Sequence, residues 1–189
     1  TERSKLLLQA AECFAKFTAA NPGHPRVLDA ALEQARIHSE RASATAESYR
    51  VEKNPDKKKA LLVEAEQLFR QAIDETQKVV TLLDTRLEEL RKRRPRTKAV
   101  QQVILETLAM RVKALLQVGD MEYLHSSLYD EKSPKCKEHY EAALKAYGMV
   151  ADERPTTDYT FLAYVRQGMC LGKLATFEKD RKKRDKLNQ

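Results

Sequence analysis

YEAALKAYGMVADERP, running from Tyr140 to Pro155, is the stretch on which the reading of the fold turns. Ala143 is followed four places on by Tyr147, three further by Val150, and five beyond that by Pro155. Steps of three and four put the first three on one face of a helix. Pro155 cannot sit in a helix interior, so it closes the unit. Ala10, Phe14, Phe17 and Pro22 repeat this spacing, and Ala65, Phe69 and Ala72 repeat its first three positions. A small residue lets a neighbouring helix come close, and the aromatic fills the gap beside it.

Working outward, the apolar period predicts helices over about 2–20, 25–53, 55–93, 97–129, 134–153 and 158–174. The first carries Leu7, Ala10 or Ala11, Phe14 and Phe17 on one face and stops at Asn21-Pro22-Gly23. Pro25 suits the first turn of the second. That helix has a seam of Leu28, Ala31, Ala35, His38, Ala42, Ala46 and Tyr49, where His38 is expected to be packed and hydrogen-bonded. Asn54-Pro55-Asp56 reads as a cap, a first-turn proline and an acid at the positive end of the helix dipole.

The third helix is the longest. Leu62, Ala65, Phe69, Ala72, Thr76, Val79, Leu83, Leu87 and Leu90 form a seam close to a heptad repeat. Val100, Val103, Ile104, Leu108, Val112 and Leu115 make the face of the fourth, which is expected to break near Gly119, with Asp120 capping a restart. Ser133-Pro134 starts the fifth helix, and Thr156 or Thr157 caps the sixth. The stretch from Glu178 to Gln189 is almost wholly charged, a solvated helix or a frayed tail. Residues 1–177 thus read as one all-α domain.

Composition agrees. Only five Gly and six Pro interrupt 189 residues, and charged residues make up 33%. With no Trp and 6% aromatic residues, many thin helix–helix seams are favoured over one large core. The net charge of +7 permits an acidic partner without demanding one, because acids are interspersed with the bases. Cys13, Cys136 and Cys170 form no CxxC pair and read as reduced, largely buried thiols in a non-oxidising compartment, with the cytoplasm the expectation. No apolar run approaches the ~18 residues of a membrane span.

The repeated phrase resembles the second helix of a tetratricopeptide repeat: small, aromatic, small, then proline. In the last helix Gly168 stands about where the family's first helix has its small residue, Leu171 at the following large position, and Phe177 near the aromatic of the next helix. Ala175 replaces the family's turn glycine, Asp180 stands where a small buried residue belongs, and the central helices are unusually long. The resemblance implies antiparallel helix hairpins stacked as a right-handed superhelix, a slice of a longer array. It implies a non-enzymatic scaffold gripping a protein or peptide, or further repeats of its own parent chain, along a concave groove. The groove residues it implies are Arg26, Asp29, Glu33 and Arg36 in the second helix, and Tyr159, Val165, Met169 and Lys173 in the sixth.

No catalytic constellation emerges. His24, His38, His125 and His139 form no HExxH, and although His125 and His139 flank Cys136, no four-ligand spacing appears; neither metal nor cofactor is expected. There is no phosphate-binding glycine loop. The basic runs RKRRPRTK (Arg91, Lys92, Arg93, Arg94, Arg96 and Lys98 around Pro95) and KDRKKRDK (Lys179 to Lys186) offer an alternative, contact with nucleic acid or an anionic surface. No aromatic is interleaved with either, so base stacking is missing. A third reading is a structural spacer, or an oligomerising segment using the heptad-like seam.

Overall fold

The computed structural model describes residues 2–24, 26–92, 97–153 and 158–187, apart from the side chains of Ser4 and residues 179–187. These residues form six α-helices, α1 (Glu2–Ala20), α2 (Val27–Val51), α3 (Pro55–Lys92), α4 (Lys98–His125), α5 (Pro134–Ala151) and α6 (Asp158–Leu187). A single 3-10 turn spans Ser126–Leu128, and there is no strand among the described residues. The protein is all-α. The first-turn role of Pro25 and the capping and closing roles of Thr156, Thr157 and Pro155 fall outside the described residues.

The seams read from the sequence are the buried faces. Along α3, Ala65, Phe69, Ala72, Thr76, Val79, Leu83, Leu87 and Leu90 are all buried. They pack against α2, whose Ala35 and Ala42 are fully covered, and against α4. Alanine on both sides lets α2 and α3 approach closely, while Phe69 fills the space the small residues leave. The heptad-like seam of α3 is therefore spent within its own chain, which leaves its oligomerising use without a free face.

Capping follows the sequence where it is described. Asn54 Oδ1 accepts from the backbone N–H of Asp56 and Lys57 at 3.0 and 3.1 Å. Ser133 Oγ accepts from Cys136 at 3.1 Å, and Thr97 Oγ1 from Val100 at 3.3 Å. Each satisfies a first-turn donor that would otherwise lack a partner.

Two expectations are corrected. The fourth helix does not break at Gly119-Asp120: α4 runs through to His125. Gly119 is instead the point where Tyr147 of α5 lies flat on the backbone; a Cβ there would stand 2.4 Å from the ring. Asp120 caps nothing and accepts the Tyr147 hydroxyl at 2.7 Å. The sixth helix does not stop at Leu174 but continues to Leu187, the helical one of the two states expected for the charged tail, because no glycine or proline follows Gly172 to end it.

Each helix packs chiefly on the one before and the one after it in the chain. The even-numbered helices also meet one another, α2 against α4 and α4 against α6, whereas the odd-numbered ones scarcely touch. The phrase that opened the reading sits at the centre of the main core. Ala143, Tyr147 and Val150 belong to one buried cluster with Leu83, Val112, Leu115, Ala163 and Cys170, and α5 packs between α4 and α6. Arg111 of α4 adds a polar tie, pairing with Asp84 of α3 and with Glu153 just past α5.

Candidate functional site: a groove across the even-numbered helices

Because α2, α4 and α6 converge, they share one face, and that face carries a groove of about 450 Å³. Its floor is apolar, with Leu116, Met121 and Leu124 from α4 and Leu162 from α6. Arg36, Glu40 and Glu47 of α2 and Lys113 and Asp120 of α4 supply charge, Tyr159 stands at the α6 end, and Arg3 of α1 reaches the opposite edge. Leu124, Leu162 and Tyr159 remain 42%, 39% and 44% exposed, so the groove presents apolar surface that nothing among the described residues covers.

The charges are held in a fixed order. Arg36 bridges Glu33 at 2.7 Å and also Glu40, and Lys113 reaches Glu33 from α4 at 3.5 Å. The hydrogen bond from Arg36 leads the causes that lower the Glu33 pKa. Gln117 of α4 donates to the Leu32 carbonyl at 3.0 Å, fixing the register of α4 on α2. Arg166 of α6 pairs with Asp120 of α4. The groove is thus a mixed-charge rim around an apolar floor, suited to a peptide with apolar side chains on one face and charges beside them.

The residues implied by the family resemblance divide. Arg36 and Tyr159 line the groove, and Glu33 orients Arg36 from beside it. Arg26 lies in the exposed turn before α2, and Asp29 is at the start of that helix, outside the lining. Val165 and Met169 are exposed on the outer face of α6, and Lys173 pairs with Glu131 at 3.3 Å beside the start of α5. Position along α6 explains much of the split: Met169 comes two helical turns after Leu162 on the same side, past the groove, while Arg166 between them still reaches Asp120 of α4. The α4 contribution, Lys113, Gln117, Asp120 and Leu124, was missed by reading α4 only for its apolar face.

Of the basic runs, Arg91, Lys92 and Lys98 are exposed at the facing ends of α3 and α4. Arg93, Arg94 and Arg96 lie outside the described residues, as do the side chains of the second run. A larger depression of about 740 Å³ lies between the α1–α2 turn and α3, around His24, Leu28, Leu82 and Arg86. It draws on one end of the chain, whereas the groove spans α1 to α6.

The cysteines are free, but Cys13 is exposed, which corrects the expectation for that thiol. Its face of α1 has no neighbour among the described residues. Cys136 and Cys170 are buried, and burial pushes the Cys170 thiol up to about 11. His38 is buried as expected, but its Nδ1 has no hydrogen-bond partner among the described residues. No described helix is long and apolar enough to cross a membrane. No protein-family model, curated protein or solved structure matches the chain.

Proposed function

We propose that the chain is a non-enzymatic helical-repeat scaffold of the tetratricopeptide kind, which holds a peptide of a partner protein in the groove of α2, α4 and α6. The uncovered apolar floor between paired charges carries this reading. Convergence of the even-numbered helices supports an array curved around that face, as a superhelix of stacked hairpins would be. The outer face of α6, with Phe161, Tyr164, Val165, Met169 and Leu171 exposed, extends the same reading: it is where a further helix, from the parent chain or a partner, packs.

The test is selection of peptides from a displayed library on the folded chain, followed by measurement of affinity for a variant carrying Leu124→Glu and Leu162→Glu. Both residues are already part-exposed, so the helices persist by circular dichroism. Loss of at least ~10-fold in affinity, about 1.4 kcal/mol, is expected. Selected peptides that bind the variant as tightly as the parent chain would refute the groove assignment.

A further inference from the structure

At the end of α4 lies a cluster that the groove does not use. Glu122 and His125 are three residues apart on α4 and so share a face. His139 comes from α5, which the Ser133 cap starts back along α4. The rings of His125 and His139 have centroids 3.9 Å apart, and His139 Nδ1 is 2.7 Å from Glu122 Oε2. Ligand-bearing atoms of the three side chains all lie within 4.8 Å of one another.

A second observation is independent of that proximity. His125 is only 1% exposed, and its Nδ1 has no hydrogen-bond partner among the described residues. The neighbouring hydroxyl decides the tautomer. Tyr129 donates its one proton to Glu66 at 2.7 Å, so towards His125 Nε2, 3.4 Å away, it can only accept. The imidazole proton therefore sits on Nε2, and Nδ1 carries a bare lone pair in the interior. A buried acceptor with no donor costs as much as a lost hydrogen bond, unless something else takes the lone pair.

We propose that Glu122, His125 and His139 form a binding site for a divalent first-row transition ion, with Zn2+ the best match. Two imidazoles and one carboxylate are the donor set of three-ligand zinc sites, which keep a fourth position for water. Calcium and magnesium want six or more oxygen ligands, which the cluster lacks. The ion takes the place of the proton shared by His139 and Glu122. Ligand atoms around a tetrahedral ion with ~2.1 Å bonds lie ~3.4 Å apart, within the 4.8 Å that spans the three side chains, so small side-chain rotations suffice.

The surroundings hold both rings. Phe69 stacks on His125 with centroids 5.1 Å apart and planes at 18°. Tyr129 stacks on His139 at 5.4 Å and 4°. Lys135 and Arg70 are the nearby cations, and both are engaged by Glu66, at 3.6 and 4.0 Å, leaving Glu122 to meet the ion's charge. The side chains of His139 and Glu122 are 20% and 13% exposed, which gives solvent and ion a way in from the α5 side. An ion held there ties α4 to α5 beside Phe69 of α3.

The full chain, stripped with a chelator, is titrated with Zn2+ by calorimetry and followed by thermal unfolding. One equivalent binds saturably, and Tm rises by about 5 °C at a hundredfold excess over Kd. His139→Gln and Glu122→Gln, at part-exposed positions, each lower the affinity at least ~10-fold while circular dichroism stays unchanged. Imidazole resonances of His125 and His139 shift on Zn2+ addition in the unaltered chain, which keeps the test valid if a variant unfolds. No saturable one-equivalent binding, unchanged affinity in both folded variants, or shifts confined to His24 and His38 would each overturn the site.

Discussion

Gly119 shows how much one hydrogen atom decides. Tyr147 lies on it, buried in the main core, with its hydroxyl tied to Asp120. The ring is held at both ends and cannot swing away from an added methyl. Gly119→Ala gains about 1 kcal/mol of helix propensity but is set against an overpacking cost of about 1–3 kcal/mol. A contact of 2.4 Å puts that cost at the upper end, so Tm is expected to fall by several degrees. Gly168 and Gly172 are the internal control, because nothing lies within 4 Å of a Cβ at either. There the same substitution keeps the propensity gain alone and raises Tm. Thermal unfolding of the three single variants checks the opposite signs. A rise for Gly119→Ala would mean that Tyr147 moves freely.

At the scale of elements, Arg111 is the polar tie among three helices. Its side chain is 13% exposed, while those of Asp84 and Glu153 are 45% and 23% exposed. The partly wet acids can rehydrate when the arginine is removed, so the cost lies below that of breaking a fully buried pair. Arg111→Ala is expected to destabilise by about 1–3 kcal/mol. Arg111→Met keeps the packing of the stem and removes only the charge; it should recover part of the loss. Chemical denaturation of both variants separates packing from charge, and equal losses would show that the stem contributes nothing. The helices and their buried faces were legible in the sequence, because the three-and-four spacing of Ala65, Phe69, Ala72 and Val79 is a property of one helix. The continuity of α4 was not. A glycine inside a helical pattern reads the same whether it ends the helix or admits a ring from the next one.

Across the whole molecule, apolar surface is unevenly covered. The face of α6 turned to α5 buries Thr160, Ala163 and Cys170, while Phe161, Val165 and Leu171 on its other side are 64%, 63% and 54% exposed. A contiguous apolar stripe of this kind in water drives association. The 189-residue chain is expected to bind a hydrophobic dye and to self-associate at high concentration, and Phe161→Glu with Val165→Glu abolishes both. Sedimentation of the two proteins side by side measures this; an equally monomeric parent chain would show that the stripe is not adhesive. Gly168 and Leu171 fit the same picture. The family resemblance assigns them packing positions, and on α6 those positions face outward: Leu171 is half exposed, and no described atom lies within 4 Å of a Cβ at Gly168.

The sequence by itself determined the all-α class, the register of the buried seam of α3, and the caps at Asn54 and Ser133, since all of these depend on residues within a few positions of one another. It also singled out Arg36 and Tyr159. Only the tertiary structure decided that they share a groove with Lys113, Asp120 and Leu124, while Arg26 and Met169 do not. It alone brought His139 to Glu122 and His125 across a turn that separates them in sequence. The physical reason is the same in both cases. Local periodicity specifies which side of each helix is apolar, but the polar neighbours a side chain meets depend on how helices are rotated and crossed against each other. That is set by the packing of residues such as Gly119 and Tyr147, and by no spacing within a single helix.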